Sequence, residues 1–150
     1  MRKRQSNSSR SDEGVEPSHY VLDSYALLAY FEDEAGAAIV TELIEGTVEG
    51  VSLFLSLINF GEVAYITERE RGREEAMDML EDIRRLPIVL CGVDERRVLA
   101  AAHIKAGYPV SYADAFAVAL AQELGAVVVT GDPEFKKVED LVPMLWLRTI

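Results

Sequence analysis

The stretch SYADAFAVALAQELGAVVVTGDPEFKK, residues 111–137, decides the fold. It opens on Ser111, a helix-capping residue, and runs into Ala115–Ala121, which is apolar at every position. A surface helix keeps a polar face, whereas one that is apolar all round is buried. Gly125 ends it, because glycine just past a helix takes left-handed backbone without strain. AVVVT (126–130) follows, an apolar run without polar alternation. That is the pattern of a parallel strand covered on both faces. Gly131, Asp132 and Pro133 close the unit as an acid capping a new helical turn, with proline at its first position.

Outward from this unit the same alternation repeats. Tyr20–Asp23 (YVLD) reads as a short buried strand, and Ser24–Phe31 as a helix with Ser24 as its cap. Ala35–Glu45 reads as a helix with Ile39, Leu43 and Ile44 on one stripe. Val51–Leu55 is a strand and Leu57–Arg71 a long helix. Arg73–Leu86 is a further helix with Met77, Leu80 and Ile83 facing in, and Pro87 breaks it. Ile88–Leu90 is a strand, Asp94–Ala106 a helix capped by Gly107, and Met144–Leu147 the last strand. Strands separated by helices imply a parallel sheet of four to five strands between two helical layers, a three-layer α/β/α domain.

Residues 1–17 are polar, end in Pro17 and read as a disordered tail, leaving 18–150 as one domain. The N-terminus has no apolar segment of the secretory kind, and no run approaches the ~18 apolar residues of a membrane span. The expectation is a cytoplasmic protein with no membrane contact. Cys91 is the only cysteine, so no internal disulfide forms, in keeping with a reducing compartment. Fifteen basic residues face 26 acidic ones, a net charge of −11, and four of the basics lie in the first ten residues. A body this acidic repels nucleic-acid backbones, which disfavours DNA as a partner.

Four acids sit where acids are costly. Asp23 ends the first strand, and the carboxyl ends of strands form the ligand-binding edge of an open parallel sheet. Glu62 lies in the helix 57–71 between Ile58 and Ile66, with no Lys or Arg three or four positions away. Burying an unpaired charge costs several kcal/mol, so this face is either wet or meets a cation. Asp114 lies in the first turn of the buried helix, where Ser111 and the acid also resemble a capping box. Asp132 follows a strand and doubles as a helix cap. Each acid has a bland alternative as a cap or a boundary residue. Taken together, four acids on one sheet edge without basic partners repel one another unless a hard cation such as Mg²⁺ or Mn²⁺ neutralises them.

The segments HYVLDSYALLAYF (19–31), INFGEVAY (58–65) and the opening stretch resemble the PIN-domain family, and within it the VapC-type toxin ribonucleases. The resemblance covers about residues 19–148. It implies a PIN-like fold and a Mg²⁺- or Mn²⁺-dependent endoribonuclease whose site is Asp23, Glu62, Asp114 and Asp132. Thr130 corresponds to a small hydroxyl residue near the metal, and Ser24 and Asn59 stand where they could support the ligands. One departure is Tyr25, two positions after the first acid, where many relatives carry Ser, Thr or Asn. The resemblance further implies a small antitoxin as partner and a homodimer. The apolar surface of Tyr25, Leu28, Tyr30 and Phe31 is a candidate contact.

The chemistry expected of such a site is hydrolysis. Asp23, Asp114 and Asp132 would hold one or two divalent ions, with Glu62 as a further ligand or orienting a water. Metal-activated water would attack the phosphodiester and leave a 3′-hydroxyl and a 5′-phosphate. His19 and His103 stand beside no acid motif and are not needed. Arg69, Arg71 and Arg73, or Lys136 and Lys137, could hold flanking phosphates. Two other classes fit less well. An aspartyl phosphatase with Asp23 as nucleophile commonly has a second acid where Tyr25 stands. A non-catalytic PIN-like binding module should have lost some of the four acids.

Overall fold

The computed structural model describes residues 18–148, so the tail expected over 1–17 lies outside the described residues. Five strands form one parallel sheet: β1 (His19–Leu22), β2 (Ser52–Ser56), β3 (Ile88–Cys91), β4 (Val127–Thr130) and β5 (Met144–Trp146). The helices are α1 (Ser24–Phe31), α2 (Ala37–Glu45), α3 (Leu57–Arg71), α4 (Arg73–Arg85), α5 (Glu95–Gly107) and α6 (Tyr112–Leu124). Two 3₁₀ turns, Gly46–Glu49 and Pro133–Val138, complete the described elements. The first of these was not foreseen.

The strand order is β3-β2-β1-β4-β5. The chain builds outward from β1 to β3, then crosses back and continues from β4 to β5 on the other side. The order therefore reverses between β1 and β4, and in open α/β sheets ligands bind at the carboxyl edge of such a reversal. Val21 and Leu22 show why the sheet needs both helical layers. Adjacent side chains alternate faces, and both are fully buried. Leu22 joins a core with Leu27, Val40, Leu55, Val63 and Ile83, under α1–α4. Val21 joins the other core with Ala101, Val118, Val128 and Phe135, under α5 and α6. Every residue from Asp114 to Ala121 is buried, as the apolar run requires.

Several boundaries differ from expectation, each for a local reason. Ser24 does not cap α1. Asp23 does, because its extended backbone (φ −98°, ψ −178°) aims a carboxylate oxygen at the amide of Ala26. Helix α2 starts at Ala37, after Gly36 in left-handed backbone (φ +94°). Gly36 is also pressed against Leu147, where a Cβ would come within 2.6 Å of that side chain. Gly107 is not a cap. Helix α5 includes it and stops at Tyr108, whose extended backbone is imposed by Pro109. Met77 faces solvent. The buried stripe of α4 is Ala76, Met79, Leu80 and Ile83, spaced by three, four and seven, which leaves position 77 off the face.

Candidate metal centre and its relatives

Two of the four acids flank the strand-order reversal. Asp23 follows β1 and Asp132 follows β4, and the two strands pair directly. Asp114 comes from the first turn of α6, whose N-cap Ser111 accepts the Asp114 amide at 3.1 Å. Glu62 comes from α3, half-buried.

Two uncharged side chains tie together, in pairs, the segments that carry the acids. The Thr130 hydroxyl donates to Asp23 Oδ2 at 2.5 Å and accepts the Asp132 amide at 3.0 Å. It is fully buried, so these bonds form in a dry setting. The Asn59 amide donates to Glu62 Oε1 at 3.2 Å and to the carbonyl of Ala113, beside Asp114, at 3.4 Å. Thr130 thus locks the β1 and β4 ends, and Asn59 locks α3 onto α6. The Asn59 Oδ1, in a fully buried side chain, has no hydrogen-bond partner. An orphaned buried acceptor costs ~1–3 kcal/mol. Ser24 is half-buried at the start of α1.

The electrostatics carry the mark of convergence. Burial pushes the Asp23 carboxyl up to about 8. Hydrogen bonds from Thr130 and the Ala26 amide oppose this, and the charges of Asp114 and Asp132 add to it. Asp114 rises to about 7, from burial first, then from the charges of Asp132 and Glu62, against the Ser111 bond. Like charges therefore act on one another across four elements, the ends of β1 and β4 and the helices α3 and α6. Among the described residues no Lys or Arg ion pair involves any of the four. The donor set is all oxygen, anionic and unpaired, which fits a hard divalent cation in kind. In position it is open: among the described residues no three carboxylate, imidazole or thiolate groups close on one point to hold a metal.

The basic candidates fared differently. Arg71 pairs with Glu32 and Glu75, Arg73 with Glu68, Lys136 with Glu139 and Lys137 with Glu134. Arg69 lies over the Tyr65 ring. Arg148 approaches the loop between Thr130 and Asp132, where its Nε donates to the Gly131 carbonyl at 3.0 Å. Its only signal in the sequence is its place just after the last strand. Tyr25, Leu28, Tyr30 and Phe31 are half-buried and pack on the first core. Cys91 is buried and free, its thiol pushed up by burial. It lines a cavity of about 10 Å³ with Ser56, Arg97 and Phe116, and none of the four acids reaches that cavity. No helix of the described residues is long and apolar enough to cross a membrane.

Comparison with known proteins agrees with this architecture. No curated protein matches the sequence. Among solved structures, a DNA-bound VapBC from Salmonella typhimurium superposes with a TM-score of 0.66 at 19% identity, covering 87% of this chain and 98% of that one. VapBC2 from Rickettsia felis, bound to a DNA fragment from its promoter, gives 0.65 at 14%, covering 85% and 97%. VapC20 from Mycobacterium tuberculosis, described as a sarcin-ricin loop cleaving toxin, gives 0.63 at 16%, covering 81% and 95%. At these identities the likeness is one of fold. The PIN domain family model matches residues 20–141, most of the chain, and the protein belongs to the PIN-domain family.

Proposed function

We propose that this protein is a divalent-metal-dependent endoribonuclease and the toxin of a toxin–antitoxin pair. The observation that carries the reading is the set of Asp23 and Asp132 at the strand-order reversal with Asp114 acting on both by charge and Glu62 on Asp114, none of them in an ion pair with Lys or Arg among the described residues. Asp23, Asp114 and Asp132 would hold Mg²⁺ or Mn²⁺, with Glu62 as a further ligand or orienting a water. When bound, such an ion activates water and neutralises phosphate charge.

The chain's own residues prepare that chemistry. Thr130 holds Asp23 and the Asp132 amide in fixed relation, so these two acids move little. Asn59 keeps Glu62 facing the first turn of α6. The apolar wall under Asp23 and Asp114 lowers the local dielectric, which strengthens every charge interaction there. The acidic body explains why RNA would bind only where charge is neutralised, and it leaves an acidic cleft for an antitoxin segment bearing basic residues. Relatives in fold are VapBC complexes, and one is described as cutting the sarcin-ricin loop, which supports RNA as substrate and an antitoxin as partner. A cytoplasmic homodimer accords with this reading.

The test compares the wild-type chain with Asp114→Asn on total RNA, with Mg²⁺ or Mn²⁺ and then with EDTA. Cutting by wild type that EDTA abolishes, and that the variant lacks, is expected. Cutting by the variant at the wild-type rate removes the proposed site.

A further inference from the structure

Arg148 is the second residue beyond β5, after Leu147, at the sheet's carboxyl edge, the edge that carries Asp23 and Asp132. Backbone pairing brings it there: Thr130 aligns with Trp146, and the Leu147 amide donates to the Thr130 carbonyl at 2.9 Å. The side chain is then fixed twice. Its Nε donates to the Gly131 carbonyl, and its guanidinium carbon lies 5.7 Å from the centroid of the Tyr25 ring. The Tyr25 ring lies flush on Gly131, where even a methyl group would overlap it. Gly131 stands between Thr130 and Asp132, so this interlock forms the rim of the acidic site.

The remaining guanidinium N–H groups have no carboxylate partner among the described residues, although most basic side chains of the body are paired with acids. The body from residue 18 on carries 11 basic and 23 acidic residues. In such a field, an exposed arginine held at the Gly131 carbonyl and without a carboxylate partner is free to take a different anion. A guanidinium held by its Nε and placed over an aromatic ring keeps its Nη edge as a fork matched to phosphate oxygens.

We propose that Arg148, seated on Tyr25 and Gly131, grips a backbone phosphate of single-stranded RNA next to the one that is cut. The proposal rests on the RNA-cleaving reading above and names the residue that lets an acidic protein hold a polyanion. It also gives the departure at Tyr25 a role: a hydroxyl side chain there would leave Arg148 without its platform.

The experiment measures binding of a dye-labelled single-stranded RNA by anisotropy over a range of KCl, with Ca²⁺ in place of Mg²⁺. The full chain is compared with Arg148→Gln, Arg148→Lys and Arg85→Gln. Arg85 lies on α4, paired with Asp82, and its substitution makes the same change in net charge. Arg148→Gln is expected to bind about tenfold more weakly, with a salt slope smaller by about 0.7. Arg148→Lys is expected to restore the slope but not the full affinity, since lysine cannot stack as a plane. Arg85→Gln is expected to match wild type. In cleavage assays the loss from Arg148→Gln falls mainly on KM. If Arg148→Gln and Arg85→Gln bind and cut alike while wild type is active, this proposal fails and the RNA reading stands. A wild-type chain that neither binds nor cuts RNA overturns both.

Discussion

Asp23 offers the sharpest test of how the acids are held. Its folded pKa of about 8 lies far above the ordinary carboxyl value of 3.8. The folded chain therefore binds a proton there that the unfolded chain has already released. Between the two values the metal-free protein loses stability as pH rises, by about 1.4 kcal/mol per pH unit for one group. Stability from this group is full below about pH 4 and gone above about pH 8. From about pH 5.5 to about pH 8, Asp23 alone removes on the order of 3 kcal/mol. For a domain of this size that is a fall in Tm of about 10 °C. Asp114, raised to about 7, acts in the same direction over a shorter range. The assay is a set of melting curves in EDTA across that range, for wild type and Asp23→Asn. An asparagine can still accept the Ala26 amide and donate to the Thr130 hydroxyl, but it does not titrate. The variant should lose most of the pH slope and be the more stable of the two near pH 8. Equal slopes for the two proteins would refute the claim that Asp23 is buried as an acid.

Saturating Mn²⁺ should reverse the high-pH loss: at a hundredfold excess over Kd, ligand linkage adds about 2.7 kcal/mol. A wild-type Tm that does not move with Mn²⁺ would favour a non-catalytic binding module. Thr130→Val keeps the shape but removes both bonds to the β1 and β4 ends. It should cost ~1–3 kcal/mol in urea unfolding and lower RNA cleavage in conditions where the variant remains folded. Unchanged cleavage would mean that Asp23 and Asp132 need no such tie. Gly36→Ala should destabilise by at least ~2 kcal/mol, because the residue has φ +94° and its new methyl meets Leu147. A Tm within a degree of wild type would show that the α1–α2 turn relaxes freely.

The layered fold was legible in the sequence because it rests on local rules. An apolar helix of Ala115–Ala121, a glycine stop at Gly125 and the AVVVT strand need no distant information, and the structure keeps all three. Likewise Glu62 stood out by having no Lys or Arg three or four positions away. Element ends were less legible where two local signals competed. Asp23 and Ser24 are both good caps, and only the extended backbone at the strand end chose Asp23. Met77 and Met79 are the same residue type, and the phase of α4 against the core chose between them.

What only the tertiary structure decided is which residues meet across the chain. Strand order cannot be read from a run of strands, because parallel pairing is set by long crossovers rather than by neighbours in sequence. That order places β4 beside β1, and so Thr130 against Asp23, 107 positions apart. It also sets Arg148 on Tyr25 and Gly131, a contact to which no spacing pointed. The sequence by itself determined the chemistry available: anionic oxygen donors. The packing of helices on a sheet that reverses its order determined where that charge gathers, since only burial from several sides makes mutual repulsion strong enough to matter.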